Sequence, residues 1–247
     1  MRNVWTIAKR EYDHYFISPI AYVVAFMILF VLGLIFALDV LAASQSAGSP
    51  YGYIPSVSSL TGAMAFLFLL AIPALTMRLI SDETRTGTME LLLTAPLRDW
   101  ELILGKWLGG FLFILTVIGI TLIYPILLQG MISPGIDQQQ MMAAYLAMIL
   151  VSAAFLGLGV GISASFGNQI AAFFVTLALF VFLWWLVGFP ANSIPVGADV
   201  FRYLSMTSHL DSLMSGKIVL SDIVYYLSLT ALGLFAGVTA VEIRRWR

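Results

Sequence analysis

Cysteine is absent from the 247 residues, and charge is scarce: Asp, Glu, Lys and Arg together make up 10%. The first absence removes disulfides, thiol nucleophiles and thiolate metal sites at once, and leaves the redox compartment open. The second takes the chain far from soluble domains, in which about a quarter of the residues are charged. Histidine occurs twice, as His14 and His209, and neither belongs to a His-Glu-x-x-His pattern. A phosphate-cradling loop ending in Gly-Lys-Ser/Thr is missing as well. Gly105-Lys106 and Gly216-Lys217 are followed by Trp107 and Ile218, and Trp100 and Asp211 stand where the first glycine of such a loop belongs. A net charge of −1 gives no reason to expect a nucleic-acid partner.

What the chain has in abundance is apolar residues, at 61%. They fall into six runs, over about residues 20–43, 60–80, 102–129, 141–164, 169–189 and 218–241. Each is long enough for a hydrocarbon core about 30 Å thick, crossed at about 1.5 Å per residue. The expected fold is therefore an all-α integral membrane protein, a single transmembrane domain over 1–247. A cleaved signal peptide competes for the first run, but that run is too long for a signal h-region and is expected to be retained. Trp5, Ala8, Tyr12 and Tyr15 recur at helical spacing before it, so residues 1–18 read as an interfacial helix or as the polar flank of the first span. Pro73 is expected to kink the second span, and Trp184 and Trp185 to mark an interface near the end of the fifth. Residues 190–217 are too polar and too broken by Gly and Pro to cross; 201–214 reads as one or two short helices, and Ser221 or Asp222 as an N-cap of the last span. Gly105/Gly109 and Gly157/Gly161 read as close helix-packing pairs, within one chain or between chains.

Basic residues are distributed unevenly. With six spans, Arg2, Lys9, Arg10, Arg78, Arg85, Arg98, Lys106, Arg244, Arg245 and Arg247 share one side, and only Arg202 and Lys217 lie on the other. The positive-inside rule then makes both termini cytoplasmic. Asp39 is the one acid near a span interior, close to the outer end of the first helix, so the mid-membrane ionisable site expected of an ion-coupled carrier is missing. A serine-protease reading of Ser163 with His209 fails on distance, because the two are expected at opposite membrane faces while a general base must sit about 3 Å from its proton.

Charge concentrates instead in one island, where Arg78, Asp82, Glu83, Arg85, Glu90, Arg98, Asp99, Glu101 and Lys106 fall from the end of the second span to the start of the third. Gly87 permits a turn there, and Met89 to Leu97 is an apolar run in which Pro96 disfavours helix at Ala95. The stretch 81–101 reads as a solvated loop or as a short amphipathic helix suited to the groove of a soluble partner, with Met89, Leu92 and Leu93 on one side and Glu90 on another.

The order Glu83-x-Arg85-x-Gly87-Thr88-x-Glu90-x-Leu92-Leu93-x-x-Pro96, followed by Glu101 and Gly105-Lys106, resembles the loop between the first two span pairs of ABC-2 type transporter permeases. Ser208-His209 through Gly216 to Asp222 and Tyr225-Tyr226, with the turn Gly167-Asn168-Gln169-Ile170, is similar to the gliding-motility permease subgroup. The resemblance implies that Glu83, Arg85, Gly87, Thr88, Met89, Glu90, Leu92, Leu93 and Pro96 form a cytoplasmic coupling helix that docks on separate ABC ATPase subunits. ATP and Mg would belong to those subunits, with no cofactor in this chain. It further implies a bacterial cytoplasmic (inner) membrane location, a second permease copy or related permease, lipid contact, and an extracytoplasmic auxiliary protein as a further partner. The chain is then a non-enzymatic subunit, either of an exporter or of a module that transmits ATPase motion to an outer partner without moving solute.

Overall fold

The structure, a computed structural model, describes residues 2–46, 53, 55–87, 97–132, 135–189 and 198–245, without the side chains of 84–86 and 198. Among the described residues there are helices and no strand. They are α1 (Arg2–Tyr15), α2 (Pro19–Gln45), α3 (Val57–Thr76), α4 (Ser81–Thr86), α5 (Asp99–Thr121), α6 (Ile123–Met131), α7 (Gln138–Ser165), α8 (Gln169–Val181), α9 (Ala198–Leu204), α10 (Met206–Met214) and α11 (Leu220–Arg245). Among the described residues, six stretches are long and apolar enough to cross a membrane: Pro19–Gln45, Val57–Glu83, Asp99–Met131, Gln138–Ser165, Gln169–Leu186 and Leu220–Arg245.

Helix α7 is the axis of the bundle, buried on nearly every side from Ala143 to Ala164. Its glycines let neighbours approach to backbone contact. A Cβ on Gly157 would meet the Thr230 carbonyl oxygen of α11 at 2.9 Å, and one on Gly161 would collide with the Gly233 carbonyl. Thus Gly157 and Gly161 serve a contact within the chain, and they meet a third pair, Gly233 and Gly237 on α11, that the sequence reading passes over. Helix α2 is the opposite case. It buries only the stripe Ala21, Val24, Ile28 and Leu32, while Tyr22, Val23, Phe26, Phe30 and Leu34 are exposed, the division expected of a lipid-facing span.

Two spans depart from one regular helix for identifiable reasons. Pro125 has no N–H to give the Thr121 carbonyl, so α5 ends at Thr121; the Tyr145 hydroxyl of α7 donates to that carbonyl at 3.0 Å instead. Helix α8 runs into a π-helical turn at Phe182–Leu186, closed by Val187 N–H donating to the Phe182 carbonyl at 3.1 Å. That turn buries Trp184 beside Phe155 and leaves Trp185 exposed, so only the second tryptophan faces the surroundings. Helix α3 continues through Pro73 to Thr76 before it breaks.

The expected apolar face of the first helix is corrected. Helix α1 buries Val4, Ile7, Ala8 and Tyr15, while Trp5 is 59% exposed. The cause is α5, whose Gly105 and Gly109 form a shallow groove that admits α1: a Cβ on Gly105 would lie 2.7 Å from Ile7 Cβ, and one on Gly109 2.9 Å from the Ala8 carbonyl oxygen. The helix packs on protein over that face and turns Trp5 outward.

At the far face, α9 and α10 fold back over the ends of α3, α7 and α11. Gln140 donates to Ser58 Oγ at 2.8 Å and to the Met214 carbonyl at 3.2 Å, and Gln139 donates to the Gly216 carbonyl at 3.2 Å. Asp222 is not an N-cap. Helix α11 starts at Leu220, and the Asp222 carboxylate is buried 2.7 Å from His209 Nδ1. The other ring nitrogen lies 2.7 Å from the Tyr203 carbonyl, and Tyr225 stacks on the imidazole at 4.2 Å. One side chain therefore ties α9, α10 and α11 together.

Candidate coupling site

Both roots of the charged island are fastened to the bundle by polar contacts that together reach several helices. After α3 ends, the chain turns through 77–80, and its exposed-amide problem is met by α7. Ser163 Oγ accepts from Ile80 N–H and from Ser81 N–H, each at 3.2 Å, and lies 3.1 Å from Ser81 Oγ. One residue on, Asp82 accepts from Gln169 Nε2 of α8 at 2.6 Å. Asn168 caps that helix by accepting from Ile170 N–H at 2.8 Å, which places Gln169 within reach of the island.

Glu83 makes the third fastening. Its carboxylate lies 2.8 Å from Lys106 Nζ, and the same ammonium donates to Glu11 Oε1 of α1 at 3.0 Å. Lys106 is 2% exposed, so a full positive charge is withdrawn from water and offset by two carboxylates from two other elements. Burial by itself would raise the Glu11 carboxyl, but Lys106 and then Arg10 outweigh it and hold the group below its ordinary value. The absence of Cβ at Gly105 and Gly109 is what lets α1 lie close enough for Glu11 to reach Lys106.

The second root is held at the start of α5. Glu101 accepts from Arg98 N–H at 3.1 Å, closing the first turn in the manner of a capping box, and from Asn3 Nδ2 of α1 at 3.2 Å. Asp99 pairs with Arg245 at the end of α11 at 2.8 Å. Through these contacts α1, α5, α7, α8 and α11 all converge on the segment that enters and leaves the island. Ser163, read in the sequence only as a hypothetical nucleophile, is one of the fasteners; His209 belongs to the separate far-face cluster with Asp222.

Of the nine residues expected to dock a partner, Glu83 is placed in this cluster. Gly87 is exposed with φ +73°, the left-handed conformation that glycine adopts without strain, and a Cβ there would meet nothing within 4 Å. The Arg85 backbone lies in α4. Thr88, Met89, Glu90, Leu92, Leu93 and Pro96 lie outside the described residues. The sequence reading did not find Glu11, Ser163, Gln169 or Arg245 as partners of the island. Only Gln169 carried a signal, through the turn Gly167-Asn168-Gln169-Ile170.

An apolar helical bundle with six stretches long enough to cross a membrane, and a polar segment fastened to one end, defines a multi-pass membrane protein. Comparison with known protein families matches residues 5–243 to the ABC-2 family transporter proteins. The chain belongs to that family, and is accordingly a membrane permease component of an ABC transporter, not itself catalytic. No curated protein matches the chain.

Proposed function

We propose that this chain is the membrane-spanning half of an ATP-driven exporter, with separate cytoplasmic ATPase subunits docking on residues 81–101. The observation that carries the reading is Lys106. A docking segment in free solvent would transmit nothing, whereas Glu83, at the entry to the island, is joined through one buried ammonium to both α1 and α5. Ser163 and Gln169 extend the linkage to α7 and α8. A force applied to the island is thereby delivered to four helices together. The uneven distribution of Lys and Arg supports a cytoplasmic island and cytoplasmic termini. The likeness of 208–226 to the gliding-motility subgroup supports placement near that branch.

Two copies, or this permease with a related one, supply two coupling segments for a pair of ATPase subunits. Gly105, Gly109, Gly157 and Gly161 are occupied by contacts within the chain, so the contact between permeases uses other surfaces. The test is co-purification of the permease with its ATPase, followed by Glu90→Lys with Leu93→Asp. The expected result is normal membrane insertion with loss of ATPase association. Unchanged association would refute docking at this segment, and ATPase cycling without solute movement in a reconstituted complex would favour transmission of motion to an outer partner.

A further inference from the structure

A cleft of about 760 Å³ opens beside the Lys106 cluster, bounded by α1, the start of α2, the end of α3 and the first residues of α4. Its walls differ in chemistry. Pro19, Ile20 and Ala21 from α2 and Ala74 and Leu75 from α3 form an apolar side, while Arg10, His14 and Arg78 border the other. The apolar side lies where two spans begin and end, at the level of a membrane–water interface, and is continuous with the exposed Tyr22 and Val23 of α2. Such a volume suits a ligand of tens of atoms rather than a single ion.

The three carboxylates in the lining have partners on the protein side. Lys106 holds Glu11 and Glu83, and Gln169 donates to Asp82. The side chains of Arg78 and His14, by contrast, are exposed and make no hydrogen bond or ion pair with any described residue, and that of Arg10 has a 3.3 Å pairing with its neighbour Glu11. Guanidinium groups at the rim of an apolar cleft match a phosphate ester carrying hydrocarbon, because the planar fork binds phosphate oxygens in pairs. Basic pockets between membrane helices hold lipid headgroups by this chemistry.

We propose that the cleft seats a phospholipid, with its phosphate between Arg10 and Arg78 and its acyl chains along Ile20, Ala21 and the end of α3. Arg10, Arg78 and Lys106 balance Glu11, Asp82 and Glu83 in the lining, so the phosphate itself, rather than a net negative headgroup, selects the ligand. Phosphatidylglycerol and phosphatidylethanolamine both fit; diacylglycerol, with no phosphate, does not.

The test uses the purified, delipidated full chain in detergent, re-supplied with each of these three lipids, and counts retained lipid by native mass spectrometry. Wild-type protein is expected to retain both phospholipids and not diacylglycerol. Arg78→Gln breaks no contact within the protein, and Ala74→Trp fills the apolar wall without touching charge; each is expected to lower retention at least tenfold with an unchanged melting temperature. Arg202→Gln, at the far face, is expected to leave retention unaltered. Wild-type retention in either cleft variant overturns the proposal, as does retention of diacylglycerol. Displacement of the phospholipid by equimolar glycerol 3-phosphate also overturns it, by showing a site for soluble phosphate esters.

Discussion

Replacing Lys106 with Met tests the junction most directly, because the unbranched side chain is only one atom shorter and loses the ammonium with its charge and donors. Glu11 Oε1 and Glu83 Oε1 lie 3.0 and 2.8 Å from the same nitrogen, so they are within about 6 Å of each other. Without the ammonium, two carboxylates at that separation repel by about 3 kcal/mol at an effective dielectric constant of about 20. Removing one partner of a buried ion pair costs about 3–5 kcal/mol, and the partial exposure of both carboxylates places this case at the lower end. For a chain of this size about 3 kcal/mol corresponds to a fall in melting temperature of about 6–12 °C, measurable by tryptophan fluorescence in detergent. The deficit has a pH signature. In the wild type, Glu11 is held below its ordinary value, so its contribution is present at neutral pH and lost as pH falls through that lowered value. In the variant, burial acts without the main opposing cation and raises the group, so protonation relieves the repulsion. The gap between the two proteins should be widest near neutrality and shrink toward pH 4.5, the ordinary glutamate value. Adding Glu83→Gln should restore much of the loss. A melting temperature within 1 °C of wild type, or a further drop on removing the carboxylate, would falsify the assignment of Lys106 as the electrostatic joint.

Ser163→Ala removes the acceptor for Ile80 and Ser81 N–H and should cost about 1–3 kcal/mol, with faster tryptic cleavage at Arg85 or Arg98 as the readout; unchanged cleavage would show that the fastening is unimportant. Gly233→Val places a side chain against the backbone of Gly157 and Leu158, and should abolish a monodisperse peak in size-exclusion chromatography. His209→Ala should increase hydrogen exchange across residues 198–214 while leaving α1 and α5 protected, since the imidazole contacts only the far-face cluster. The cysteine-free chain allows single probes: cysteines at Ser49 and Ser215 should react with an impermeant reagent in intact cells, and one at Thr86 only after lysis, with the opposite pattern reversing the orientation.

The spans were legible because each needs only a long apolar run, and composition displays that without reference to neighbours. Pair contacts were not. On α1, Ala8 and Tyr15 are buried as expected, but Trp5 was misplaced because it looks as apolar as Val4 and Ile7 in a periodic pattern, and what decides between them is a groove at Gly105 and Gly109, a hundred residues away. Asp222 looked like a cap because an acid near a helix start is favourable there; its real partner, His209, lies 13 positions earlier across a turn. The island's importance was visible as a concentration of charge, but the fasteners Glu11, Ser163 and Arg245 belong to helices whose proximity is a tertiary fact. The residues expected to touch a partner, from Thr88 to Pro96, lie outside the described residues.

Helix α7 is crossed by α11 at backbone distance at Gly157 and Gly161, and the Thr76 side chain of α3 packs on Gly159 between them; these crossings are not placed symmetrically along the helix. Taken from Gly159, the arm toward Ser163 is about 6 Å long and the arm toward Gln138 about 30 Å, at 1.5 Å per residue. At the end of the longer arm, Gln139 and Gln140 hold the Gly216 and Met214 carbonyls. The helix is thus fastened at both ends, by Ser163 at the island and by Gln139 and Gln140 at the far face, with its glycine crossings set close to the island end.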